Sequence, residues 1–432
     1  MMGARIAGIA WQSLLPGLFM GAVFFLPFSV NAATGLFLAT GILWLALTVW
    51  TGSLVIRRTA LDLPLSGVVA LSALSITQAP NGFESAYNWS WLFARYVLVY
   101  FLAVHVIQPE RHARRFFAAL LLAAVLIGFH GIYQYMTGVD TSAERWVDSK
   151  HFPWLKTRAF STLGNPNILA GFLVMCIGIA VAFVLEAKKK TERMAAALTI
   201  PVMLVCIAVT FSRGAWVALG LMGMAVAALR GRRAKILCLV ALIVAVATIS
   251  FVQGDAMARL RSIGNPSDSS SYLRFLLYES TWDMIVVKPW LGWGWASFPI
   301  VCPDYNDYVR EEQSTIYHAH NILLHYAAEI GVPGMIFFVW AWGLMAVRFY
   351  RLRLLPAPDA KLISYASLTS LAGLAGFCLT DHLLFNSQMS MLFWVFLGLS
   401  GRMDQQTGGS VWLEKKFTGL AGYFSGRRIN WL

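Results

Sequence analysis

Charge is scarce in this chain. Only 13% of its 432 residues are Asp, Glu, Lys or Arg, against 58% that are hydrophobic, which excludes an ordinary soluble domain with a polar surface. Acidic residues are fewest, 21 against 34 basic, for a net charge of +13. That excess does not point to nucleic acid, because basic residues collect in the cytoplasmic loops of membrane proteins. No nucleic-acid partner is expected. Of five cysteines, Cys176, Cys206, Cys238 and Cys378 lie in apolar runs and only Cys302 falls in a polar loop. A disulfide framework is thereby excluded, and no metal-ligand spacing appears. Paired carboxylates, an Asp-Asp metal motif, a P-loop and an evident Ser-His-Asp or Cys-His set are also missing. Nucleoside triphosphate chemistry and a protein nucleophile have no residues to carry them, and no metal or cofactor is expected. No internal repeat or low-complexity tract stands out.

Long apolar runs are what the sequence has instead. A hydrocarbon core of roughly 30 Å takes about 20 residues of helix, and about twelve runs of that kind are present. They begin near Trp11, Ala33, Ala60, Trp91, Phe116, Asn167, Met194, Ala215, Lys235, Val332, Leu362 and Ser387. The fold class expected is an all-α polytopic membrane protein with a large helical outer loop. Seventeen Trp and 14 Tyr suit a protein with two wide interfaces to anchor. The first run is read as a span and not a removable leader, since its charged start is weak and its apolar stretch long. With the N-terminus inside, the loops after even-numbered spans hold Arg57 and Arg58, Arg111 to Arg115, Lys188 to Arg193, Arg230 to Lys235, and Arg348 to Lys361. The asymmetry has one sign at every loop, so both termini are expected in the cytoplasm.

Two outer segments are longer than turns, from about 138 to 163 and from about 254 to 320, and loops of that length usually carry function. The expected division is 1–253 for nine spans and the first outer loop, 254–331 for the large outer segment, 332–402 for three further spans, and 403–432 for a cytoplasmic tail. The patch from Gly264 to Ser271 reads as a mobile turn.

Four motifs stand on the outer side. In Tyr317-His318-Ala319-His320-Asn321, Asn321 is a preferred helix N-cap, and Gly331-Val332-Pro333-Gly334 breaks that helix before the next span. His320 therefore stands at a helix N-terminus, whose dipole favours a neutral, proton-accepting imidazole. Asn321, His325 and Glu329 follow at i, i+4 and i+8, one polar stripe; a bland account has Asn321 capping and His325 bonding Glu329. In Phe211-Ser212-Arg213-Gly214-Ala215-Trp216 two apolar runs meet with almost no loop. An Arg there must snorkel, bond helix-end carbonyls or clamp an anion such as phosphate. Arg274 stands among apolar neighbours ahead of the aromatic tract Lys288-Pro289-Trp290-Leu291-Gly292-Trp293-Gly294, which could rest in headgroups or stack on sugars. Arg158 precedes Gly164-Asn165-Pro166-Asn167, where Asn-Pro starts a turn and Asn167 can cap the next span. Three isolated Arg and two His on one side suit diphosphate binding with one general base.

These four segments, in this order, resemble the O-antigen ligase family of bacterial inner membranes, which is related to O-antigen polymerases and pilin oligosaccharyltransferases. The likeness covers about the last two-thirds of the chain and rests on the Gly164 to Asn167, Ser212 to Trp216, Arg274 to Gly294 and His320 to Gly334 segments. It implies a C-type-like membrane glycosyltransferase that works without metal. Such an enzyme moves a glycan from undecaprenyl diphosphate to a sugar hydroxyl of lipid A-core at the periplasmic face, with inversion. His320 would be the base, with Arg213 and Arg274, and in support Arg158, on the diphosphate; His318, Asn321 and Glu329 are further supports. A repeat-unit polymerase is the alternative within the same chemistry. A lipid transporter is the alternative outside it, with His130, Asp381 and His382 as the ionisable groups that would argue for it.

Overall fold

The computed structural model describes residues 2–52, 56–141, 157–230, 269–311, 315–356 and 359–403, and among them all regular structure is helical, without a strand. The expected span near Lys235 with Cys238, the middle of the first outer segment, the start of the second and the tail beyond 403 lie outside the described residues. In chain order come α1 (Met2–Phe25), α2 (Val30–Thr51), α3 (Asp62–Ser75), α4 (Gly82–Val106), α5 (Pro109–Met136), α6 (Pro166–Glu186), α7 (Lys190–Thr210) and α8 (Arg213–Arg230). They are followed by α9 (Ser269–Val287), α10 (Phe298–Tyr305), α11 (Asp307–Glu311), α12 (Ile322–Leu352), α13 (Ala360–Cys378) and α14 (Ser387–Met403).

Six of these, α2, α4, α5, α6, α7 and α12, are long and apolar enough to cross a bilayer. The chain is a helical membrane protein. The run near Ala60 yields only the 14 residues of α3, about 21 Å of helix, short of a full crossing of roughly 30 Å. Ser269 to Ser271, expected in a turn, instead open α9. Cys302, expected in a polar loop, is buried in α10.

The centre of the bundle is α6, packed between α7 and α13. Small residues let the backbones approach: a Cβ on Gly178 would come within 2.7 Å of the Ser370 nitrogen. Thr369 Oγ1 donates to the Gly178 carbonyl at 2.9 Å and Ser370 Oγ to that of Met175 at 2.8 Å. This is the small-residue packing with hydroxyl cross-bonds that lipid-embedded helices rely on, where burial alone supplies no drive. Its consequence is positional. The first turn of α6 and the last turn of α13 end side by side, and both lead into the site described below.

The opposite end is closed by charge. Arg114 of α5 makes two hydrogen bonds to the Asp359 carboxylate, 2.6 Å from Nε and 2.5 Å from Nη2, and also pairs with Glu192 of α7. One guanidinium thus ties α5, α7 and the entry to α13.

Helix α12 is interrupted as expected. Gly331 takes φ 76° and ψ 163° inside it, a conformation open to glycine because a Cβ is absent. The freed backbone groups find partners in the 289–294 loop. Trp293 N–H donates to the Ala328 carbonyl at 2.8 Å, Gly294 N–H to that of Glu329 at 3.0 Å, and Val332 N–H to that of Pro289 at 2.8 Å. A Cβ on Gly331 would sit 2.1 Å from the Trp290 oxygen and one on Gly292 2.5 Å from the Glu329 carbonyl carbon. The Lys288–Gly294 tract is therefore a backbone plug for a helix break. The Trp293 ring serves the same end: its Nε1 donates to the Met284 carbonyl at 2.9 Å, with the Lys288 ammonium 4.1 Å over the ring.

Candidate active site

His320 sits one residue ahead of the N-cap of α12. Asn321 Oδ1 accepts the Leu323 and Leu324 N–H groups at 3.0 and 3.1 Å, as expected of a capping Asn. His320 itself is held at φ 50°, a left-handed conformation that a residue with a Cβ adopts only when its surroundings impose it. The Tyr278 hydroxyl of α9 donates to the His320 carbonyl at 3.2 Å, and Asn321 Nδ2 to the Leu379 carbonyl at 3.3 Å. The ring is aimed by backbone on both sides.

What it is aimed at is Asp381. His320 Nδ1 lies 3.0 Å from Asp381 Oδ1, the His382 N–H donates to the same oxygen at 2.8 Å, and Asn167 Nδ2 donates to Oδ2 at 2.7 Å. Burial pushes the Asp381 carboxyl up, but the close approach and hydrogen bond of His320, then His318 and the Arg274 charge, outweigh it and hold the group well below the usual carboxylate range. An ionised Asp381 accepts from Nδ1–H, a bond that in a neutral imidazole leaves the lone pair on Nε2. His318 is different. Burial, then the charges of His320 and Arg274, lower it to about 3 against the opposing pull of Asp381, so it is a neutral ring whose Nδ1 accepts the His320 N–H at 3.3 Å.

Arg274 belongs to this group: its charge acts on His318 and Asp381 together. The guanidinium has no hydrogen-bond partner among the described residues. Arg213 opens α8 just after Phe211, which turns the chain through φ 53°. The neighbouring Gly214 packs against α13's exit, where a Cβ would meet Thr380 Oγ1 at 2.8 Å. Arg213 is therefore placed beside the Thr380–Asp381 turn, and it is largely buried.

Arg158 is tied to the end of α7, just ahead of Arg213. It is buried, and its Nε donates to the Thr210 carbonyl at 2.9 Å while the Ala159 N–H donates to that of Val209 at 3.0 Å. It is the guanidinium that caps a helix end, a role the sequence left open for Arg213. Glu329 is also structural: Oε2 and Oε1 accept the Ala296 and Phe298 N–H groups at 3.0 Å each, and Oε2 lies 3.5 Å from His325 Nε2. It locks the plug loop onto α12. The cap of α6 is Asn165, not Asn167, because Pro166 at the first helical position sets the entry two residues earlier. Asn167 is thereby released to hold Asp381. His130 bonds Ser161 Oγ at 3.0 Å, between helices.

Sequence reasoning missed the use of Asp381. The only signal was an Asp in a short connection between late spans. Among the described residues, His318, His320 and Asp381 are also the one group able to offer three metal-ligand atoms within 4.8 Å of one another. Two things weigh against a cation there: Asp381 already accepts from Asn167 Nδ2 and the His382 N–H, and the Arg274 charge acts on the same group.

The fold and site define a polytopic helical membrane protein with an oriented imidazole and basic side chains at one end. Residues 198–339, about a third of the chain, match the family model described as O-antigen ligase, a family that covers both ligases and polymerases. The match runs from within α7 to the middle of α12 and takes in Arg213, Arg274, His318, His320, Asn321 and Glu329. Asp381, Asn167 and Arg158 lie outside it. No curated protein matches the chain.

Proposed function

We propose that the chain is an O-antigen ligase, transferring a glycan from undecaprenyl diphosphate to a sugar hydroxyl of lipid A-core. The reading is supported above all by the His320–Asp381 pair under the charge of Arg274, in a membrane protein that matches the O-antigen ligase family model over residues 198–339. His320 Nε2 takes the proton of the acceptor hydroxyl, whose oxygen then bonds to the anomeric carbon. The bond from that carbon to the phosphate oxygen breaks, and its electron pair leaves on the diphosphate. One displacement inverts the anomeric centre and needs no protein nucleophile. Asp381 stabilises the imidazolium formed, as the carboxylate of a His–Asp pair does. Arg274 and Arg213 neutralise the leaving diphosphate through charge-assisted bonds that planar guanidinium suits. A positioned base contributes about 10²- to 10⁴-fold.

The site end would face the periplasm of a bacterial inner membrane, within the large outer segment 254–331, with the Arg114 end on the cytoplasmic side. Both reactants are lipid-anchored, so confinement in the bilayer supplies proximity. Because the family includes polymerases, a second lipid-linked glycan is the other acceptor to test. Purified protein is given labelled lipid-linked glycan with and without lipid A-core. Label moving to the core only when core is present is the expected result; lengthening of the donor in its absence assigns a polymerase, and no transfer to either sinks the reading. Activity should be unchanged in chelator, and a loss restored by Mg²⁺ would overturn the metal-free mechanism.

A further inference from the structure

Beside the His320–Asp381 pair lies a cavity of about 280 Å³, between the first turns of α4, the loop before α10, the start of α12 and the turn at 382–385. It shares a wall with the pair, since His382 follows Asp381 and its ring lies 5.9 Å from that of His318. Its chemistry is the opposite of the guanidinium group's. Neither Arg nor Lys lines it, whereas Glu84 and Glu329 do, with Asn88 alongside. A phosphate would be repelled there.

Three of its lining residues carry a polar atom with no hydrogen-bond partner among the described residues: Nδ1 of His325, Nδ1 of His382 and Nε1 of Trp295. Both histidines are only 3% exposed, and buried polar atoms are rarely left unmet in a folded protein. The remaining wall is mostly aromatic and aliphatic, with Trp295 and Tyr326 rings 6.5 Å apart. The volume leaves room for at least one ring with its hydroxyls. Aromatic faces, unmet polar atoms, an amide and carboxylates without a cation make a surface for an uncharged, hydroxyl-rich ring.

We propose that this cavity is a subsite for one unphosphorylated sugar ring of the acceptor, the ring that brings the attacking hydroxyl to His320. The donor's first sugar does not fit the description. Its anomeric carbon is bonded to phosphate, so it must lie against guanidinium groups, and this cavity offers carboxylates. The proposal rests on the transferase reading above.

Full-length protein in detergent is compared with Asn88→Leu and the milder Glu84→Gln, Glu84 being an exposed residue near the start of α4. The acceptor KM should rise about tenfold in Asn88→Leu and a few-fold in Glu84→Gln, with donor KM and kcat within about twofold, the pattern of lost ground-state binding. Saturation-transfer NMR with methyl α-D-glucopyranoside and methyl N-acetyl-α-D-glucosaminide, without donor, should show contact in the wild type and lose it in Asn88→Leu. Should Asn88→Leu fail to fold, Glu84→Gln alone decides. An unchanged acceptor KM in the folded variants, or a rise confined to the donor KM, overturns the subsite. Saturation transfer that Asn88→Leu abolishes, in a protein that transfers to no acceptor, keeps the subsite and overturns the transferase reading.

Discussion

Each end of the bundle holds an aspartate in a polar cluster, and the two clusters are connected differently. At one end Asp359 takes two hydrogen bonds from Arg114, which also pairs with Glu192; that guanidinium is fully engaged by carboxylates. At the other end Asp381 is satisfied by an imidazole, an amide and a backbone N–H, and Arg274 acts on it by charge without bonding to it. Where the cation is consumed by the anion, the cluster is a clamp between helices. At the second end donors other than a cation satisfy the anion, and Arg274 has no hydrogen-bond partner among the described residues. On the proposed reading, the same residue types hold the fold at one end and offer chemistry at the other.

The largest effect that sharpens this comparison comes from Asp381→Asn. It keeps the shape but replaces the acceptor with an amide, so His320 loses both its tautomer and its counter-charge. Transfer should fall on the order of 10²-fold or more, measured as kcat with purified protein; a drop below threefold would make Asp381 a helix tie like Asp359. Arg274→Lys is expected next, down about tenfold in kcat/KM, because an ammonium replaces a planar fork with a point charge. Full activity there would leave Arg274 a structural residue.

Arg114→Ala tests the other end. The pair is partly exposed, with 29% of the Arg114 side chain accessible, so a loss of about 1 kcal/mol in stability is expected, with transfer per folded molecule unchanged. A specific loss of kcat would erase the distinction between the two ends. The smallest effect is on pH. His318 is held at about 3, below its ordinary 6.5, so the unfolded chain binds a proton that the folded one refuses. Stability should fall as pH drops from 6.5 towards 3, and His318→Gln should flatten that limb of the thermal-unfolding profile. Asp381 acts in the same direction but at lower pH, its stabilisation being lost only beneath its ordinary 3.8. An identical limb in His318→Gln would contradict the neutral His318.

The parts of this picture that are local were legible in the sequence. Asn321 caps α12 and Gly331 breaks it because cap chemistry and backbone freedom act within a turn or two. The helical character of the long apolar runs followed from composition, though α3 is shorter than its run suggested. What was not legible depends on partners far along the chain. Asp381 is 61 residues from His320 and 214 from Asn167, and no periodicity links separate helices across such distances. Arg158 read as an anion clamp because its partner, the Thr210 carbonyl, is a backbone atom 52 residues away. The Trp-rich tract read as a surface for lipid or sugar, whereas its backbone fills the break in α12, a role no side-chain pattern encodes.

The central claim is that His320 Nε2 accepts the acceptor's proton, and its most direct test is the transfer rate of purified His320→Ala protein. The protein should elute and unfold like the wild type while kcat falls by about 10²- to 10⁴-fold. Near-normal transfer by that variant would contradict the account.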